Sequence, residues 1–200
     1  RYGSDEQGAQ LDKLGGGAWQ AKKSKLKERI KEIAENLIRT AAARELKPGD
    51  VLPPPEGAYD EFCARFPYEE TEDQLTAIEA VVEDLQKGRP MDRLVCGDVG
   101  FGKTEVALRS AFVAAMNGKQ VAVVVPTTLL SRQHFATFHA RFKGLPLNIA
   151  QASRLVPRKE LEEVKKGLAA GDIDIVVGTH ALLAESIKFR DLGLLIIDEE

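Results

Sequence analysis

The chain has 200 residues, 44% hydrophobic and 30% charged, a globular composition long enough for one well-buried domain plus an extension. No apolar run approaches the roughly 20 residues that cross a bilayer, and the N-terminus has no basic-then-apolar signal pattern, so a cytoplasmic location is expected. A net charge of −3 gives the chain as a whole no attraction for a polyanion, so any nucleic-acid partner has to be met by a local patch.

Residues 1–18 contain Gly3, Gly8, Gly15, Gly16 and Gly17 with little apolar content, and are expected to be the irregular end of an upstream domain. From Trp19 the apolar residues Leu26, Ile30, Ile33, Leu37 and Ala41 recur at helical spacing, so the pattern predicts a long amphipathic connector helix over 19–46. Its basic cluster, Lys22, Lys23, Lys25, Lys27, Arg29 and Lys31, reads as a solvated face, the alternative being a contact to DNA or to a protein partner. Pro48, Gly49 and Pro53–Pro55 end the helix and predict a linker over 47–58, because proline lacks the amide proton and forces its predecessor out of helical geometry.

Beyond the linker, short β-rich runs alternate with helical stretches, the pattern of a parallel sheet wrapped by helices. Strands are predicted at 93–96, 120–125, 147–151, 173–177 and 194–197, and helices at 71–87, 103–117, 129–143, 158–170 and 181–185. The fold class is therefore α/β, with one sheet-based domain over 59–200. Cys63 and Cys96 fit neither a disulfide framework nor a metal spacing, and Cys96 is expected in the core of the first strand.

Gly97-Asp98-Val99-Gly100-Phe101-Gly102-Lys103-Thr104 matches the phosphate-binding loop pattern after a predicted strand and before a predicted helix. Its glycines let backbone amides wrap phosphates, and the helix that follows aims its positive end at the same anion. Lys103 is expected to reach the β and γ phosphates of ATP, and Thr104 to give a hydroxyl to Mg2+. Asp198 and Glu199 follow an apolar strand, at the end of an open α/β sheet where ligands bind. In phosphoryl transfer Asp198 would hold the Mg2+ shell and Glu199 would orient and deprotonate water. Glu200 has no assignable role.

Between Glu105 and Glu160 there is no acidic residue, while Arg109, Lys119, Arg132, Arg141, Lys143, Arg154, Arg158 and Lys159 fall inside that stretch. This imbalance is the footprint of a nucleic-acid track, although some of these cations must face the protein or the nucleotide.

The two catalytic segments together resemble the pattern of helicase superfamily 2, whose motor lobe has the RecA-like P-loop fold. The resemblance implies further roles. Phe66-Pro67 and Thr71-x-x-Gln74 resemble the segment that reads adenine, with Gln74 offering both a donor and an acceptor to the base edge. Thr127 and Thr128 resemble a motif that grips the nucleic-acid backbone, where the plain alternative is a threonine helix cap. Gly178, Thr179 and His180 resemble a second such motif, though a lone histidine is as readily structural. Arg132 and the Ser153-Arg154 pair are further candidates for phosphate contact.

Within the superfamily, 91–107 resembles the bacterial transcription-repair coupling factors most closely. The related branch-migrating recombination helicases share Gly-Asp-Val-Gly here but typically have Ser where Phe101 stands and lack Glu105. The resemblance implies an ATP-driven translocase on double-stranded DNA that displaces stalled RNA polymerase and recruits an excision-repair protein. It also implies a second motor lobe, with an arginine finger, and partner-binding domains outside these 200 residues, so the chain is expected to be a piece of that motor, inactive alone. A recombination helicase and a non-catalytic interaction module remain as alternatives.

Overall fold

A computed structural model describes residues 16–198, so the expectation for 1–15 and the carboxylates of Glu199 and Glu200 lie outside the described residues. The chain divides between Lys47 and Pro48 into two units.

The first unit is a single helix, α1, Gly17–Leu46. It starts two residues before the periodic pattern and ends where Pro48 holds Lys47 in the β region, φ −84° and ψ 124°. Ala, Lys, Glu, Arg and Leu dominate it, all strong helix formers. The predicted stripe of Leu26, Ile30, Ile33 and Leu37 is exposed, so helix propensity rather than burial shapes this unit.

In the second unit the proline-rich stretch is tied down. Gly49 N–H donates to the Gly88 carbonyl at 2.8 Å and Leu52 N–H to the Leu85 carbonyl at 2.9 Å. Leu52 is buried, and Asn117 Nδ2 donates to the Pro53 carbonyl at 2.8 Å. Next come α2, Ala58–Ala64, which hydrophobic periodicity did not reveal in so short a segment, and α3, Glu72–Gln86.

The remaining elements are α4 (Lys103–Met116), β1 (Gln120–Val124), α5 (Thr128–Arg141), β2 (Ile149–Ala152), α6 (Arg158–Ala170), β3 (Ile175–Gly178) and β4 (Leu192–Ile197). The predicted helix at 181–185 is a single 3-10 turn, His180–Leu183. The strands run parallel in the order β2-β3-β1-β4.

Alternation along the strands sorts side chains into two cores. Val121, Val123, Ile175 and Val177 face α2, α3, α4 and α5, where Phe62, Phe112, Phe138 and Phe142 pack. Phe62 stacks on Phe112 with centroids 4.3 Å apart. Ala122, Val124 and Val176 face the other way, onto Val164 and Leu168 of α6 and onto Leu182. Gln120 is a buried polar member of β1: its Nε2 donates to the carbonyls of Leu168 and Ile173, and its Oε1 accepts from Asp191 N–H at 2.9 Å. One side chain thus ties the C-terminal end of α6 and the entrances to β3 and β4 to β1.

The strand predicted at 93–96 is not formed. An apolar run becomes a strand only with a ladder partner, and this segment joins none, while Arg93 is drawn to the C-terminal turn of α3 by an ion pair with Asp84 at 2.5 Å. Leu94 is 86% exposed, and Cys96, expected in the core, is exposed with it.

Truncating Phe112, which is fully buried among aromatic rings, is expected to destabilise the second unit by about 3–5 kcal/mol. Leu26→Ala on exposed α1 is expected to change stability by less than about 0.5 kcal/mol. Urea unfolding of both variants checks the contrast.

Candidate nucleotide site

The phosphate-loop pattern closes into a turn immediately before α4. Gly100 has φ 88° and Gly102, the N-cap of α4, has φ 74°. A side chain at Gly102 would be strained and would meet Gln74 Nε2 at 2.2 Å. No side chain caps α4, so the first amides of the helix, which have no intrahelical acceptor, are available to an anion. Lys103 curls back over the loop, Nζ donating to the carbonyls of Gly97 at 2.5 Å and Asp98 at 2.9 Å.

These groups border a cavity of about 450 Å³, with Thr71, Gln74, Gly97, Asp98, Phe101 and Lys103 on its walls and Ala77, Val95 and Val106 giving an apolar side. Left-handed glycines, an uncapped helix start and an inward ammonium fit the phosphate end of a nucleotide. Val99, at the loop tip, is exposed, and Thr104 is half-buried in the first turn of α4.

Gln74 does two local jobs. Its backbone N–H donates to Thr71 Oγ1 at 3.2 Å and its Oε1 accepts from Thr71 N–H at 2.8 Å, which is a capping box on α3. Its Nε2 donates to the Phe101 carbonyl at 2.6 Å, joining α3 to the phosphate loop. Phe66, by contrast, is not on the cavity wall. Its ring lies 5.8 Å from the Arg109 guanidinium and 6.0 Å from that of Arg141.

Behind α4 those two arginines belong to a buried ionic network that sequence reading did not foresee. Arg109 Nε donates to Glu105 at 2.8 Å, Arg141 Nη2 donates to the same carboxylate at 2.8 Å, and Arg109 also pairs with Glu70. Glu105 and Arg109 are each about 4% exposed, which decides that they serve the interior. The hydrogen bond from Arg109 holds the Glu70 carboxyl below its usual range. Segment 66–70, α4 and α5 are thereby fastened together. Lys119 pairs with Asp50 and Asp191. Three cations of the acid-free stretch thus turn to protein carboxylates, whereas Arg132 and Arg154 are exposed.

Asp198 stands at the carboxyl end of β4, its N–H donating to the Val124 carbonyl at 2.9 Å. His134 Nε2 donates to Asp198 Oδ2 at 2.9 Å, and this bond, aided by the charge of Lys103 and opposed by burial, lowers the carboxyl below its ordinary range. Asp198 and Lys103 border one further cleft of about 180 Å³. Among the described residues no group of three or more His, Cys, Asp or Glu side chains could hold a metal. A cation here fits the Mg2+ mode, in which one or two protein oxygens, from Thr104 and Asp198, share the ion with phosphate and water.

The expected backbone-gripping residues fall at the same edge of the sheet. Thr127 follows β1 and caps α5, its Oγ1 accepting from Leu130 N–H at 3.2 Å, with Thr128 half-buried beside it. Arg154 follows β2. Gly178 ends β3 in a place where a Cβ would meet the Ala152 carbonyl at 2.3 Å, and Thr179 and exposed His180 follow.

The family model for DEAD/DEAH box helicases matches residues 71–200. The chain is 56% identical to a transcription-repair-coupling factor of Rickettsia bellii and 50% identical to one of Bacillus subtilis, over 100% and 99% of its length. It spans 18% and 17% of those relatives. RecG bound to a three-way DNA junction is similar over 81% of this chain and 22% of that one, with 35% identity and a TM-score of 0.75. A hypothetical ATP-dependent RNA helicase from Sulfolobus tokodaii, 20% identical over 72% of this chain and 41% of that one with a TM-score of 0.55, shares the fold. The sheet and these likenesses bear out the expected α/β, RecA-like lobe.

Removing Arg109 with Arg109→Ala leaves Glu105 buried beside a single cation, and is expected to destabilise by about 3–5 kcal/mol. Arg132→Ala, on the exposed surface, should stay within about 0.5 kcal/mol. Equal midpoints of urea unfolding for the two would contradict the division between inward and outward cations.

Proposed function

The chain belongs to the DEAD/DEAH box helicase family, and from that premise we propose that it is the ATP-binding lobe of a translocase on double-stranded DNA. The wider protein would couple transcription to repair, as the names of its relatives in Rickettsia and Bacillus say, and by the resemblance of 91–107 it would displace stalled RNA polymerase and engage an excision-repair protein. The observation that carries the reading is the phosphate loop, 97–104, closed over Lys103 at the start of α4 and faced by Gln74.

The amides at the start of α4 and the Lys103 ammonium bind the phosphates, exchanging the Gly97 and Asp98 carbonyls for phosphate oxygens. Gln74 releases the Phe101 carbonyl to present its donor and acceptor to adenine. Thr104 and Asp198 would hold Mg2+, which would supply neutralisation of the charge on the β and γ phosphates. Glu199 orients and deprotonates the attacking water. Phe66 supports this site from behind, through the Arg109 network, rather than by touching the base.

Thr127, Thr128, Gly178, Thr179 and His180 present hydroxyls, an imidazole and helix-start amides at one edge of the sheet, and Arg132 and Arg154 add exposed charge. Such groups contact phosphates without reading bases, which suits movement along any sequence. A helicase acting on branched DNA, as expected of the recombination helicases, is the second reading, favoured by the likeness to RecG bound to a three-way DNA junction. Displacement of a stalled polymerase by the full-length protein separates the two.

In the full-length protein, Glu199→Gln is expected to keep ATP affinity within about twofold while lowering turnover by about 10²-fold or more, as single-turnover hydrolysis and nucleotide titration would record. Arg132→Ala and Arg154→Ala should each weaken binding to all duplex sequences alike and reduce the slope of log affinity against log salt by about one. An unchanged slope returns that arginine to the solvated surface.

A further inference from the structure

His134 was not marked by any motif, yet it makes the most direct protein contact to the carboxylate at the end of β4. It lies within α5, with its side chain only 12% exposed. Its Nε2 donates to Asp198 Oδ2 at 2.9 Å, while Asp198 N–H is fixed on the Val124 carbonyl at 2.9 Å. Main chain and one carboxylate oxygen are therefore both held, which leaves Oδ1 as the oxygen directed elsewhere.

Packing alone does not account for a histidine here. Its Nδ1 is buried and has no hydrogen-bond partner among the described residues. An unmatched buried polar atom is destabilising, so an apolar side chain of the same size would serve a purely structural role better. The imidazole is explained by the bond it makes at its other nitrogen. That bond also opposes a competing arrangement: Lys103 borders the same cleft as Asp198, and an untethered carboxylate would be drawn onto the ammonium that the phosphates need.

We propose that His134 is a positioning residue for the Mg2+ shell, holding Asp198 through one oxygen so that the other remains free for the ion and the carboxylate stays off Lys103. The proposal rests on the reading of Asp198 as a magnesium carboxylate. Groups behind a metal ligand fix its orientation, and losing one commonly weakens metal affinity by about 10–100-fold. The same helix begins at Thr128, so the element expected to grip DNA also bears the residue that sets the metal ligand.

The test is fluorescent ADP binding to the 200-residue chain, titrated with Mg2+. His134→Leu, similar in size but without an N–H, is expected to raise the Mg2+ concentration for half-effect about tenfold and also to lower Mg2+-free ADP affinity, because the freed carboxylate competes with phosphate for Lys103. His134→Gln, whose amide N–H reaches about as far as Nε2, should restore the dependence to within about twofold of the parent. Should His134→Leu fail to fold by circular dichroism, His134→Asn, whose amide stops short of Asp198, carries the same expectation. Asp198→Asn is the control and should abolish the Mg2+ effect. Parental Mg2+ dependence in His134→Leu, with the control impaired, overturns the positioning role and leaves the site reading intact. Equal impairment of the Gln and Leu variants also overturns it, since bulk rather than the N–H would then matter. A control that behaves like the parent overturns the assignment of Asp198, and the proposal with it.

Discussion

A parallel ladder cannot be closed by a tight turn, so the chain must leave each strand through a crossover that returns to the opposite end of the sheet. In this protein the helical crossovers are α5 after β1 and α6 after β2, both of which bury an apolar face on the sheet, while β3 passes to β4 through the 3-10 turn His180–Leu183 and a loop. The consequence is positional. The residues that follow β1, β2, β3 and β4 are Thr127, Arg154, Thr179 and Asp198, and they gather along one edge although they are 71 positions apart in sequence from first to last.

A second constraint acts from behind the loop. The phosphate loop has few fixed contacts of its own, and what surrounds it is held by charge. Glu105, in the first turn of α4, accepts from both Arg109 and Arg141, and Arg109 continues to Glu70. Buried ion pairs of this kind specify an arrangement more surely than they stabilise it. Here the arrangement specified is the seating of α4 against α5 and against the segment that leads to Gln74. Glu105, one of the two positions expected from the sequence to set this segment apart from the recombination helicases, is the centre of that network.

The sequence was legible where periodicity and punctuation agreed. Helix α6 begins and ends at the expected residues, and β1 and β4 lie within two residues of expectation, because apolar runs there are bounded by turn residues, although only β1 is buried on both faces. Legibility failed where a feature depends on a partner distant in sequence. The run at 93–96 has the composition of a strand and no ladder to join. The cations Arg109, Lys119 and Arg141 read as a track for a polyanion until the structure shows which carboxylates they meet. The motif at 97–104 was legible as a glycine turn before a helix because its signal is local, whereas the reading of Gln74 rested on resemblance and its place in a capping box on α3 was not foreseen. His134 carried no local signal, since its meaning lies in Asp198, 64 residues further on.

Every role proposed for the site depends on the loop at 97–104, with Lys103, seating the phosphates of an adenine nucleotide. Calorimetric titration of the 200-residue chain with Mg-ADP, beside its Lys103→Ala variant, tests it most directly. The account predicts one saturable site in the parent chain, weakened by about tenfold or more in the variant by loss of a charge-assisted contact, with both proteins melting at the same temperature. No binding to the parent chain, or equal affinity in the two proteins, would contradict it.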